Sequence, residues 1–297
     1  MALPLYLSDD FAVVLALKQS DFSDRDIPEG NEFERWTIFN QYVLRNNQET
    51  QEQQDVIWSR FCAVYLPAMV DRLISHLPVP LDADEQYAYS EDTKHASDFA
   101  VFNPWHEMLV QVQHVPYIGK YLRSKDPLAA QGKLLPQVLA QRVAAVGARW
   151  DAKLRSPSIT QEERDLYMGA ATSAVQLLST ICIHFINEPD RTRVVARETQ
   201  VKLGKILMVW SRRYRHQFLG DVSQRMLEFM SGVIDPIFVR MRRIYQNCDV
   251  CGLDSCQVRT RLMACSRCRT IRYCTPEHQR ADWSDDGHKL FCFGTEY

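Results

Sequence analysis

Apolar residues recur at three- and four-residue spacing from the N-terminus to about Asn247, and period-two alternation is scarce. That pattern predicts a chain built mainly of helices. Val56, Ile57, Phe61, Val64, Tyr65, Ala68, Met69 and Leu73 place one apolar face along a helix that Pro67 is expected to kink. Thr160 with Glu163 has the spacing of a capping box and opens a helix that runs to about Asn187, before Pro189. Further helices are predicted around Arg193–Phe218 and Val222–Tyr245. Breaks at Pro28–Gly30, Pro78–Pro80, Pro116–Gly119, Ser156–Pro157 and Pro189 divide the region into stretches able to pair as antiparallel hairpins. A multi-helical bundle and an irregular array of the armadillo or HEAT kind both satisfy this pattern, and no repeat signature selects between them. The acidic, tyrosine-containing stretch Leu81–Asp98 reads as the longest loop, a solvated one.

Met168–Asn187 carries no Lys, Arg, Asp or Glu, and its length meets the spanning minimum of about 17–20 residues. Thr172, Ser173, Gln176, Ser179, Thr180 and His184 dilute its apolar run. A buried helix of a helical domain is therefore expected, and no membrane partner.

After Asn247 the periodicity gives way to cysteine spacing. The candidate ligands are Cys248, Cys251, Cys265, Cys268, Cys274, His278, His288 and Cys292, in the order Cys-x2-Cys, Cys-x2-Cys, Cys-x3-His, His-x3-Cys. These are ligands for two closed tetrahedral sites, with Zn2+ the expected ion. The residues between them leave little core to bury, and so small a module needs a metal, a disulfide or a partner to fold. Structural zinc contributes an apparent ~10–16 kcal/mol in zinc-finger peptides. Spacing alone permits either sequential or interleaved pairing of the ligands. Cys256, five residues after Cys251, reads as a spare thiol outside the tighter knuckle.

A disulfide framework would be the default in a small secreted domain. The chain instead opens MALPLYLSDD, with Asp9 and Asp10 interrupting the apolar residues and no Lys or Arg before Lys18. A secretory signal needs a basic segment and an unbroken apolar stretch, so an intracellular, reducing compartment is expected. A catalytic zinc would need a coordination position left open for water. Eight ligands for two ions leave none, and both ions read as structural.

Tyr273-Cys274, Gln279 directly after His278, Trp283 four positions later, and His288-Lys289 before Cys292 carry the comparison further. Over Cys248–Cys292 the segment resembles a MYND-type zinc finger, a eukaryotic module, with His278 standing where that family usually has cysteine. The resemblance implies a cross-brace, in which Cys248, Cys251, Cys274 and His278 share one ion and Cys265, Cys268, His288 and Cys292 the other. It also implies protein–protein interaction, with a proline-containing peptide in a groove at Ser266, Gln279 and Trp283. The competing structural roles are packing of Trp283 between the zinc sites and capping of its helix by Gln279. Some MYND proteins carry the finger inside a SET-type lysine methyltransferase domain. Here only Phe293–Tyr297 follow Cys292 and no Asn-His pair occurs, so no enzymatic activity is expected.

The expected organisation is a helical domain over residues 1–246 followed by the finger over 247–293, acting as a regulatory adaptor in the nucleus or cytoplasm. Absence of a Gly-Ser or Pro-rich linker before Cys248 suggests that the final helix feeds directly into the finger and packs rigidly on it.

Whole-chain charge is −2, which favours no polyanionic partner. From Tyr245 onward seven Lys or Arg face seven Asp or Glu. Arg259, Arg261, Arg267, Arg269 and Arg272 nevertheless cluster, with Arg240, Arg242 and Arg243 upstream. They support an alternative, a nucleic-acid-binding regulator, against a solvated face that offsets the thiolates. No base-reading helix pattern accompanies them. In a further alternative the helical domain binds the partner and the finger caps the fold. His76, His95, His106, His114, His184 and His216 form no metal or triad spacing, and Cys62 and Cys182 read as core.

Overall fold

A computed structural model describes residues 6–18, 32–75, 104–233, 236, 239–240, 247–253 and 261–297. The loop read over Leu81–Asp98 lies outside them. The described residues are mainly helical, with one small two-stranded sheet near the C-terminus. By contacts the chain divides into two units, one of Met1–Ser75, Asn103–Gly132 and Arg242–Tyr297, the other of His76–Phe102 and Lys133–Met241. The cysteine-rich segment thus shares a unit with the N-terminal helices.

That first unit contains α1 (Tyr6–Val14), α2 (Glu32–Asn46), α3 (Gln51–Ser75), α4 (Pro104–Val112), α5 (Pro116–Arg123) and all but the last residue of a 3-10 helix at Pro127–Lys133. α3 is its centre and packs on α1, α4 and α5. The buried stripe of α3 runs through Cys62, Leu66, Met69, Val70 and Leu73, at the spacing of one helix face. Val64 and Ala68, expected on the apolar face, lie off that stripe and are exposed. Pro67 sits inside the helix. Phe11 of α1 meets Phe39 of α2 at 5.8 Å and Trp58 of α3 at 4.9 Å between ring centroids. Asp9 ties α1 to α3 by accepting from Arg60 at 3.0 Å and from the Tyr65 hydroxyl at 2.8 Å.

The second unit contains α6 (Leu135–Arg155), α7 (Gln161–Ile183), α8 (Arg197–Arg213) and α9 (Phe218–Met230), with a 3-10 turn at Arg191–Arg193. α6 packs on α7 and α8, and α9 packs on α8 and α7, a closed ring of contacts that makes a four-helix bundle. Both halves of the Thr160–Glu163 capping box are present at the start of α7. This helix stops at Ile183, short of Asn187. The turn beyond it is held by Arg191, which donates to the carbonyls of Phe185 at 3.0 Å and Ile186 at 2.9 Å. α7 is the described helix long and apolar enough to cross a membrane, and 61% of its most apolar window is buried inside the protein. α9 ends at Met230, where Gly232 takes φ +81 and turns the chain out of the helix, so the stretch read as one helix over Val222–Tyr245 is broken there, and Pro236, Val239 and Arg240 beyond the break are again helical.

Two glycines of this bundle face opposite demands. At Gly147 of α6 a β-carbon would stand 2.8 Å from Ile206 of α8, so the close approach of the two helices requires glycine. At Gly204 of α8 an added β-carbon would meet nothing within 4 Å. Glycine within a helix costs about 0.5–1 kcal/mol relative to alanine. Gly204→Ala is therefore expected to raise the melting temperature of the bundle and Gly147→Ala to lower it, as calorimetry would measure. A fall for Gly204→Ala would mean that the site is not open.

Candidate metal centre

The cysteine-rich segment is ordered by short local elements, each carrying a ligand or leading into one. β1 (Met263–Ala264) and β2 (Arg272–Tyr273) pair antiparallel, with Met263 opposite Tyr273 and Ala264 opposite Arg272. The strands lead into Cys265 and Cys274. α10 (Pro276–Asp282) begins at Thr275, whose hydroxyl accepts from the His278 N–H at 3.2 Å, with Pro276 in the first turn. One turn of helix then sets His278 beside Cys274. α11 (His288–Phe291) begins after Gly287, where a β-carbon would strike the Asp282 carbonyl, and it presents His288 just ahead of Cys292.

Both Cys-x2-Cys pairs sit on tight turns. In the first, the Gly252 N–H donates to the Cys248 carbonyl at 2.8 Å, with Gly252 at φ +71. In the second, the Arg269 N–H donates to the Cys265 carbonyl at 3.0 Å, and Arg269 takes φ +58. The Thr270 hydroxyl donates to the Cys268 sulfur at 3.0 Å. An Asp249 N–H to Arg272 carbonyl bond of 2.9 Å fastens the first turn to β2.

The eight donors converge as two interleaved sets. Cys248, Cys251, Cys274 and His278 form one, Cys265, Cys268, His288 and Cys292 the other, and within each set all donor atoms lie within 4.8 Å of one another. Around zinc at ordinary bond lengths the edges of a tetrahedron are about 3.8 Å between sulfurs and about 3.5 Å from sulfur to nitrogen. Cys251 Sγ lies 3.7 Å from Cys274 Sγ, and Cys248 Sγ 3.4 Å from His278 Nδ1. In the second set Cys265 Sγ lies 3.7 Å from Cys292 Sγ, and Cys268 Sγ 3.4 Å from His288 Nε2. The residues therefore fit two structural zinc ions in a cross-brace, and His278 completes its site through Nδ1.

Three of the ligand thiols are shifted by their surroundings. Burial disfavours the Cys248 thiolate, but the backbone N–H groups of Cys251, Cys274 and Val250 outweigh it and bring the thiol down to about 6. Cys274 is pushed up to about 11 by burial and by the neighbouring Cys248 and Cys251. Cys292 is raised by burial and by Cys268 and Cys265. A divalent ion relieves that crowding and holds the sulfurs as thiolates.

The two sites differ in cover. Cys251 is exposed, and Cys274 and His278 are half-buried, whereas all four donors of the second set are buried. A clamp that the sequence reading missed closes on the second site. The Tyr117 hydroxyl of α5 receives the Phe293 N–H at 2.7 Å, and its one proton is shared between the Phe291 carbonyl at 2.9 Å and the Phe293 carbonyl at 3.0 Å. Tyr297 then donates to the Cys62 carbonyl of α3 at 2.9 Å, its ring edge-on to Tyr121 at 5.2 Å and under the Lys120 ammonium.

The candidate groove residues are placed as follows. Trp283 ends α10 with 38% of its surface exposed, its ring 5.7 Å from the His288 ring. Gln279 is half-buried on α10 and its carbonyl accepts from the Trp283 N–H at 3.0 Å. Ser266 is exposed on the second knuckle. Arg240, Arg261, Arg267 and Arg269 are exposed, and Arg272 is half-buried in β2. Cys256, Arg259, Arg242 and Arg243 lie outside the described residues, as do His76 and His95. Cys62 and Cys182 are fully buried, and burial raises both thiols.

Residues 248–292 match the family model of the MYND finger. Across 51 residues, 17% of this chain, the sequence is 47% identical to Egl nine homolog 1 of Homo sapiens and covers 10% of that protein. Identity to Egl nine homolog 1 of Mus musculus is 45% over 51 residues, or 11% of that protein. The matched stretch spans about a tenth of the length of these relatives. No solved structure matches the chain.

Proposed function

We propose that this protein is an intracellular adaptor without catalytic chemistry, whose finger docks a proline-containing peptide on the face carrying Ser266, Gln279 and Trp283. The MYND finger is a zinc-binding protein-interaction module, and that much follows from the family match and the two Cys/His clusters. When bound, zinc supplies the charge that holds each set of sulfurs together. The chain's own residues then supply a surface that is already ordered before a peptide arrives, which lowers the cost of binding.

The observation that carries the reading is the half-exposed Trp283. Its ring meets that of His288, a donor of the second metal set, in a T-shaped contact, so the indole is held in place while more than a third of the residue stays open to solvent. An immobilised aromatic edge suits a proline ring, and a Gln side chain beside it can pair with peptide backbone.

Trp283→Ala is expected to weaken binding of a proline-containing peptide, selected from a panel by titration calorimetry, by tenfold or more. Native mass spectrometry should still find two zinc ions. If the variant keeps both ions and binds the peptide unchanged, the groove lies elsewhere. Binding of an oligonucleotide that falls steeply with salt would transfer the role to exposed Arg261, Arg267 and Arg269.

A further inference from the structure

The outward face of α8 combines an apolar stripe with uncompensated positive charge. Val201 and Met208 are 49% and 45% exposed, with Val209 beside them at 36%. Val201 and Met208 lie two helical turns apart, about 10.5 Å along the axis. Gly204 falls on the same side between them, and because an added β-carbon there would meet nothing, the stripe carries an open notch at its centre. Packing inside the bundle does not call for that glycine, in contrast to Gly147 beneath Ile206.

Charge surrounds the notch. Arg197, Lys205 and Arg212 are exposed on this face, and among the described residues they form no ion pair. Glu198 is already held by Lys202 at 2.8 Å, and Arg213 is taken by Asp151. Among the described residues, three cations without an ion-pair partner therefore border the apolar stripe.

From this face we infer that α8 docks an acidic amphipathic helix of a partner protein, one apolar side chain of which enters the notch at Gly204. A helix presents apolar residues at the spacing of Val201 and Met208, and a missing side chain lets its ridge approach the α8 backbone. Carboxylates on its flanks would meet Arg197, Lys205 and Arg212. A nucleic acid would answer the cations but leave the valines and methionine facing phosphates. This surface belongs to the second unit, whereas the finger belongs to the first.

The test uses the full zinc-loaded chain and a displayed library of 20-residue helices, with a fixed leucine stripe and the other positions drawn from Glu, Gln and Lys. Glu-rich members should enrich. A selected peptide, synthesised with a fluorophore, should bind Gly204→Leu and the double variant Lys205→Glu, Arg212→Glu at least tenfold more weakly. It should also protect amides of residues 197–213 from hydrogen exchange. Zinc content of Gly204→Leu should match the parent chain and its melting temperature should be no lower, since the new side chain points into open space and replaces a helical glycine, and Trp283→Ala should bind the peptide as the parent does. Enrichment blind to charge, binding insensitive to Gly204→Leu, or loss of binding in Trp283→Ala would overturn the assignment. So would an absence of enrichment together with binding to phosphatidylserine-containing vesicles, which would make α8 a membrane-facing surface.

Discussion

Chelation of the purified chain should release its zinc in two steps, first from Cys248, Cys251, Cys274 and His278 and only later from Cys265, Cys268, His288 and Cys292. A chelator must reach the ion or wait for a ligand to swing away. Cys251 is exposed in the first site, whereas every donor of the second is buried. The Tyr117 and Tyr297 contacts also hold the backbone around Cys292 in place. Structural zinc contributes an apparent ~10–16 kcal/mol to small finger folds, so loss of the second ion should unfold the segment, while loss of the first should leave β2 and the knuckle at Cys265–Cys268 in place. Native mass spectrometry at rising chelator concentration would show a species with one zinc. Cys251→Ser should then retain one ion firmly, and Cys268→Ser should lose finger structure by far-ultraviolet circular dichroism. Concerted loss of both ions, or retention of only the exposed site, would contradict this order.

The ligands were legible in the sequence because metal chemistry is local: a Cys-x2-Cys turn or a Cys-x3-His helical turn brings two donors together whatever surrounds them. Their pairing was not, since spacing permits two arrangements, and the interleaved one came from the resemblance before the donor distances agreed with it. The Thr160–Glu163 box was legible for the same local reason. The buried face of α3 was misplaced toward Val64 and Ala68, because which side of an apolar helix turns inward depends on α1, α4 and α5, far away in the chain. The break in the helical stretch read over Val222–Tyr245 turns on one residue, Gly232, whose freedom to take positive φ closes α9 at Met230 before helical residues resume at Pro236. Nothing in the local pattern marks Tyr117 or Tyr297. Their partners lie 174 to 235 residues away, and a tyrosine in an amphipathic helix looks the same with or without such a bond.

Tyr117→Ala should detach the end of the finger from the helices it packs on. The side chain is 2% exposed, so its removal leaves a cavity under Phe291 and Phe293, and deleting a large buried aromatic costs about 3–5 kcal/mol. It also strands the Phe293 N–H, for which the hydroxyl is the acceptor at 2.7 Å, at about 1–3 kcal/mol for an unsatisfied buried group. Tyr117→Phe separates the two effects, because the ring remains and only the hydrogen bonds go. It should lose about 1–3 kcal/mol in urea denaturation of the zinc-loaded chain, with the alanine variant losing more. The readout specific to the clamp is hydrogen exchange over Phe291–Tyr297, which should accelerate in both variants and most in Tyr117→Ala. If the clamp guards the second metal site, chelation of Tyr117→Ala should also narrow the gap between the two steps of zinc release. Unchanged exchange in that segment would mean that Tyr117 stabilises its own helix alone and that the tail is held by Tyr297, whose hydroxyl donates to the Cys62 carbonyl at 2.9 Å.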